Sequence, residues 1–174
     1  MLPPTVPVPN LSRLIFAFFI AALKSREVVW VNVTRSPRAA WVAQQLRNAT
    51  PWGAAPRFLI RDNDDKFGPM FDQVGDATGI IVLHTPVQAP KANAICERFL
   101  GSVRRECLDH LLILGERQFH SVLTEYVNYV NHVRPHQGLG QRIPSGVAHP
   151  STAHGQVVGF PVLGGLHHDY RLAA

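Results

Sequence analysis

The sequence predicts an α/β fold, a sheet flanked by helices, and two observations carry the prediction. Short apolar runs rich in β-branched and aromatic residues recur at 14–23, 28–34, 57–60 and 80–83, each of strand length. Between and after them, apolar residues recur at helical spacing over about 37–49, 69–77, 91–110 and 116–132.

Residues 1–10, MLPPTVPVPN, carry four prolines, each lacking the amide hydrogen that an interior strand must donate, so a central strand is not expected there. Leu14 to Leu23 and Val28 to Thr34 flank Lys24-Ser25-Arg26-Glu27 and read as two buried strands joined by a hairpin. Ser36-Pro37 opens a helix with Ala39, Ala40, Val42, Ala43 and Leu46 on its apolar side, stopped by Thr50-Pro51-Trp52-Gly53. The run Arg57 to Ile60 ends in Arg61-Asp62-Asn63-Asp64-Asp65, so a strand delivers carboxylates at its C-terminal end, where open α/β sheets place ligands. A weak helix over 69–77, a turn at Gly79 and a strand at Ile80 to Leu83 follow.

Over 91–110, Ala92, Ile95, Cys96, Phe99, Val103 and Cys107 fall on one helical arc, and Asn93, Glu97, Gly101 and Arg104 cluster opposite. The helix over 116–132 turns Phe119, Val122, Leu123, Tyr126, Val127 and Val130 inward and ends before Pro135. From Gly138 the chain is rich in Gly, Pro and His, with one strand-like piece near 157–163, and is expected to be a partly ordered tail. The expected organisation is a Pro-rich start over 1–12, a core over 13–137 and a tail over 138–174.

A chain of 174 residues with 46% hydrophobic and 17% charged residues has a folding composition, long enough for one domain with a tail. Seventeen Lys and Arg against twelve Asp and Glu leave +5, which favours polyanionic partners. Two cysteines exclude a disulfide-dense scaffold and a four-cysteine zinc module, and sharing one helix places them out of disulfide reach, so free thiols and a reducing compartment are expected. The longest apolar run, Leu14 to Leu23, is far short of the roughly 18 residues that span a bilayer, so no membrane association is expected. The same run has the length of a signal-peptide core, but a second strand-like run follows it at once.

Asp62 and Glu97 form the useful pair, one at a strand end and one on the polar face of a helix. Hard divalent cations take carboxylate oxygens, and two such ions about 3.5 to 4 Å apart clamp the attacking and leaving oxygens of a phosphodiester. Two solvated surface acids are the plainer account of the pair taken alone. Other candidates are rejected. His132 and His136 have zinc-pair spacing, but Pro135 breaks the helix that would align them. Asp62-Asn63-Asp64 starts like a calcium loop with Phe67 where glycine is required. His167-His168 reads as solvent-facing tail, and Gly164-Gly165 as a turn.

The strings IRDNDDKF at 60–67, TPVQAPKANAICERF at 85–99, GSVRRECLDH at 101–110 and NHVRPHQGL at 131–139 resemble the second half of the catalytic core of insertion-sequence transposases in the retroviral-integrase superfamily. The resemblance spans roughly 13–144. It implies an RNase H-like mixed sheet flanked by helices, and a triad of two aspartates and a glutamate holding Mg2+ or Mn2+. Asp62 matches the second aspartate and Glu97 the glutamate. The same resemblance implies DNA integration or transposition by divalent-metal-dependent phosphodiester strand transfer, in the cytoplasm with the nucleoid.

Departures accompany it. The first aspartate of the family falls on the first, central strand, where this chain has Met1-Leu2-Pro3-Pro4, and no Asp or Glu precedes Glu27. A truncated core, its first strand missing or degraded, is therefore expected, together with loss of the family's N-terminal helix-turn-helix region. Asp64 stands where the family often has glycine, so a strained turn is expected, and Asp64 or Asp65 is considered as a substitute ligand. With one acid short, at most one weakly held ion is expected. Strand edges left bare would make the fold marginal or partner-dependent.

Lys91, Asn93, Arg98, Arg104 and Arg105 are the candidate DNA contacts, with salt-sensitive and nearly sequence-blind binding expected. Two functions remain open. One is a strand-transfer enzyme, expected to be inactive alone because the first catalytic aspartate is absent, and completed by an upstream segment or a second polypeptide. The other is a non-catalytic remnant that binds DNA or a full-length transposase, with homo-oligomerisation possible in either case.

Overall fold

The computed structural model describes residues 6–9, 14–51, 55–85, 90–146 and 155–172, with backbone alone at 6–9 and 90–93. In chain order the elements are β1 (Val6–Pro9), β2 (Leu14–Ala21), β3 (Val28–Thr34), α1 (Ala39–Ala49), β4 (Phe58–Arg61), α2 (Pro69–Ala77), β5 (Ile81–His84), α3 (Pro90–Glu106), α4 (Glu116–His132), β6 (Val157–Val162) and β7 (His167–Leu172). Short 3-10 turns lie at Asp65–Phe67, Leu108–His110, Gln137–Leu139 and Leu163–Gly165.

The apolar run at 14–23 is explained by burial on both faces of β2. Alternate residues of a strand point to opposite sides. Ile15, Ala17 and Phe19 pack with Val28, Val33, Leu100, Val103, Phe119, Leu123, Tyr126 and Val130, beneath α3 and α4. Phe18 and Ile20 face the other way, into a second cluster with Val42 and Leu46 of α1, Leu59, Phe67, Phe71 and Val74 of α2, and Ile80. Helices therefore cover both faces of the strand. Polar side chains finish the packing: Asn131 of α4 accepts the Val28 N–H through Oδ1 at 2.9 Å and donates through Nδ2 to the Val28 carbonyl at 2.8 Å, satisfying the start of β3 from inside the core.

β1, β2 and β3 form one antiparallel sheet in that order, with Val6 opposite Ala17, Phe16 opposite Thr34, and a bulge between Ile20 and Ala21. β4 and β5 form a separate parallel pair, Phe58 opposite Ile81 and Arg61 opposite His84, joined through α2. The proline-rich start thus supplies a strand, but a short one at the end of its sheet. Pro7 and Pro9, two residues apart, direct their missing donors to the same edge, which fits an end position and not a central one.

The C-terminal segment is more ordered than a tail with one strand. β6 and β7 pair antiparallel, Val157 opposite Leu172 and Val162 opposite His167. Leu163, in the turn between them, is buried in the cluster beneath α4, and its N–H donates to Glu125 Oε1 at 2.6 Å. His167 corrects the solvent-facing expectation: its ring stacks on Tyr129 at 4.8 Å, and its Nε2 lies 2.7 Å from the Glu106 carbonyl oxygen. The sequence shows no period-2 alternation over 167–172, because the hairpin is anchored by its turn and one ring, not by a continuous apolar face. Cys96 and Cys107 are buried and not joined in a disulfide.

Candidate functional site

Asp62 follows β4 directly, so a strand buried through Leu59 ends by presenting a carboxylate. Arg61 fixes this end of the strand. Its guanidinium is buried, with Nη1 donating to the Asp62 carbonyl at 2.9 Å, and Nε and Nη2 donating to Asp72 Oδ1 and Oδ2 of α2 at 3.2 and 2.9 Å. It also lies over the Phe67 ring, 5.5 Å from the centroid. The backbone of Asp62 is thereby tied to α2 through a two-pronged ion pair.

Burial raises the Asp62 carboxyl above the ordinary aspartate range, and the Asp64 N–H, which donates to Asp62 Oδ1 at 3.3 Å, only partly offsets it. The charged form is thus disfavoured relative to an aspartate in water. Asp64 is in the opposite state. Burial alone would raise it, but Lys66 donates to it from its backbone at 3.0 Å and from Nζ at 2.8 Å, and together these hold Asp64 below the usual range. Asp64 caps the Asp65–Phe67 turn and is committed to Lys66, so the substitute-ligand role considered for it does not fit. Nor is its backbone strained, since φ of −65° and ψ of 132° are ordinary extended values. Asp65 is exposed at the start of the same turn.

Glu97 is exposed on α3, and the preceding Cys96 is buried under it. Burial pushes the Cys96 thiol up to about 11, and the charges of both Asp62 and Glu97 add to the rise. The field of Asp62 therefore reaches α3 at the residue next to Glu97. Among the described residues, no three His, Cys, Asp or Glu side chains gather as a metal cluster. Two hard oxygen donors fit a divalent cation in kind, and fall one acid short of a triad.

The expected DNA contacts separate. Lys91 and Asn93 lie on the first turns of α3, and their side chains fall outside the described residues. Arg98, Arg104 and Arg105 are exposed. Arg104 Nε is 3.7 Å from Asp109 Oδ1, a solvent-open pair of little energetic weight. The Arg105 guanidinium lies over Gly101, where a Cβ would meet its Nη1 at 2.9 Å. Arg98 instead turns to the wall of a cavity shared with Arg26 and Arg134. Those last two, and the Arg61 to Asp72 pair, were not singled out from the sequence as functional. The one signal for Arg134 was its place in the string NHVRPHQGL. Among the described residues, no helix is long and apolar enough to cross a membrane.

Comparison with known proteins agrees with this architecture. Residues 78–144 match the family described as integrase core domain. The chain is 31% identical over 121 residues to a 39.2 kDa protein of insertion element IS476 from Xanthomonas euvesicatoria, covering 69% of this chain and 35% of that protein. It is 27% identical over 132 residues to a 31.7 kDa protein of insertion element IS407 from Burkholderia multivorans, covering 74% of this chain and 48% of that one. The chain thus spans between a third and a half of these relatives. Among solved structures, the simian T-cell lymphotropic virus intasome in complex with a PP2A regulatory subunit superposes with a TM-score of 0.68 at 13% identity, covering 96% of this chain and 64% of the other. The HTLV-2 integrase catalytic core domain in complex with magnesium superposes with a TM-score of 0.64 at 12% identity, covering 84% and 92%. Family match, insertion-element relatives and superposed integrase cores together support an insertion-sequence transposase or integrase core, with an RNase H-like α/β fold.

Proposed function

We propose that this chain is the core of a DNA strand-transferring transposase, in which Asp62 and Glu97 hold a magnesium or manganese ion and DNA is the substrate. The observation that carries the proposal is Asp62 itself. It is a carboxylate at the end of the parallel β4 and β5 pair, raised by burial, with a field that reaches the neighbour of Glu97. Burial makes the charged form of this acid costly, and a bound cation would offset that cost.

Bound between the two carboxylates, the ion would supply charge neutralisation at a phosphodiester and activation of the attacking hydroxyl. The chain's residues do the rest. Arg61 anchors the Asp62 backbone through its carbonyl, Asp64 and Lys66 close the turn beside it, and Cys96 seats the α3 turn that carries Glu97. The magnesium held by the HTLV-2 integrase core supports the choice of cation. The nucleic-acid assignment draws on the basic balance of the chain and on the integrase-core match.

A second reading, a non-catalytic remnant that binds DNA or a full-length transposase, is favoured by the lack of a third carboxylate beside Asp62 and Glu97 among the described residues. A strand-transfer assay on labelled DNA in magnesium or manganese, with Glu97→Gln alongside, separates them. Joining by the 174-residue chain that Glu97→Gln abolishes establishes the enzyme. Duplex binding without joining, in either metal, leaves the remnant.

A further inference from the structure

A cavity of about 310 Å³ opens against α3 on the side of Arg98, one residue beyond Glu97. Three guanidinium groups from three separate segments line it: Arg98 on α3, Arg26 in the turn between β2 and β3, and Arg134 after the end of α4. Among the described residues, no Asp or Glu lines it. Arg134 is matched from behind, its Nη2 donating to Glu106 Oε1 at 2.6 Å, while Glu106 Oε2 accepts the Tyr126 hydroxyl at 2.9 Å. Arg26 and Arg98 make no ion pair among the described residues. Two cations without an ion-pair partner among the described residues thus share one concavity, an arrangement that attracts an anion.

Two further features belong to the same walls. Arg26 has φ of +65°, in the left-handed region that penalises any residue with a side chain, and it is held there by its N–H to the Ala22 carbonyl at 2.8 Å. A glycine would relieve the turn and remove the guanidinium. The Nε2 of His136, a residue lining the cavity, is buried and has no hydrogen-bond partner among the described residues. Burial lowers the basicity of that ring, and the charges of Arg134 and Arg26 act in the same direction, against the backbone hydrogen bond with Val130 and the charge of Glu106.

We infer that the cavity seats one phosphate of a nucleic-acid backbone, gripped by Arg26 and Arg98 one helical step from Glu97. The inference rests on the proposed DNA-acting function and names where that substrate is held. Guanidinium forks match phosphate oxygens in pairs, which the point charge of lysine does not. A phosphate seated there, on the residue after Glu97 in α3, would fix the register of the strand without reading its sequence.

The test measures binding of the 174-residue chain to a fluorescein-labelled duplex by anisotropy, with salt varied from about 50 to 200 mM. The double variant Arg26→Ala/Arg98→Ala should bind about tenfold more weakly at the lower salt. Its plot of log affinity against log salt should flatten by about one unit. Arg26→Lys/Arg98→Lys should keep the slope and lose affinity, because the charge remains and the fork does not. Neither arginine holds an ion pair, so both variants should melt within about 2 °C of the parent.

An unchanged slope in the alanine variant overturns the inference. If manganese uptake dependent on Glu97 persists in that variant, the cavity assignment alone has failed and the proposed function stands. Absence of duplex binding by the parent chain overturns both. Inorganic phosphate that stabilises the parent but not the alanine variant, with the DNA slope unchanged, would mark a site for free phosphate and overturn the nucleic-acid assignment.

Discussion

Replacing Asp72 by alanine tests how the end of β4 is held. The Arg61 side chain is 7% exposed and donates two hydrogen bonds to Asp72, which is 37% exposed. Removing one partner of a fully buried pair costs about 3 to 5 kcal/mol, because the other charge is left desolvated. Here the exposed side of Asp72 admits water, and Arg61 keeps its bond to the Asp62 carbonyl, so the cost falls to roughly 2 to 3 kcal/mol. For a chain of this length that is a fall in Tm of about 5 to 10 °C. Urea unfolding followed by far-UV circular dichroism should show a lower midpoint with the slope unchanged. Asp72→Asn retains one acceptor and should fall between the two. If Asp72→Ala unfolds within about 0.5 kcal/mol of the parent, the range of an ordinary surface substitution, the pair does not anchor this strand end.

Two other outcomes follow from groups in the site and the core. The folded Asp62 carboxyl binds its proton more tightly than the unfolded one, so its charge destabilises the fold at neutral pH and the penalty disappears as pH falls through the raised value. Asp62→Asn should therefore raise the urea midpoint at pH 7, match the parent below about pH 3.8, and lose any stabilisation by manganese; equal metal stabilisation in the variant would remove Asp62 from the ligand set. Asn131→Ala leaves both backbone groups of Val28 without their partners in a site where Asn131 is 5% exposed, and should cost about 2 to 4 kcal/mol in the same urea experiment, a loss under about 1 kcal/mol showing that water replaces the amide.

Periodicity made most elements legible, because each has one strong signal. The inward residues expected for the helix over 116–132 are those that α4 packs against β3, and Glu97 lies opposite Cys96 and Val103 as the helical arc requires. What the sequence hid depends on partners distant in the chain. Asn131 reads as a polar residue at a helix end, and only the approach of Val28 makes it a core residue. The hairpin at 157–172 has mostly exposed residues and therefore no apolar rhythm, and the buried Leu163 in its turn supplies the anchor. In Arg26, a charge in a tight turn looked like ordinary hairpin chemistry, and its left-handed backbone and the shared cavity exist only once β2 and β3 meet the segment after α4. A constellation built from three segments leaves no local pattern.

The three consecutive residues Cys96, Glu97 and Arg98 show how one helix can serve fold and chemistry together. Successive side chains on α3 are turned by about 100°, so neighbours cannot share an environment. Cys96 goes to the core, Glu97 to the exposed side where the field of Asp62 arrives, and Arg98 to the cavity with Arg26 and Arg134. Rotating α3 by one residue would bury Glu97 without a cation and expose the thiol, at a desolvation cost that the packing of Leu100 and Val103 could not offset. The core contacts that hold the helix in register are thus the same contacts that keep an acid and a base one step apart. A substitution such as Val103→Ala should therefore loosen the site as well as the fold, even though Val103 touches neither the proposed cation nor the proposed phosphate.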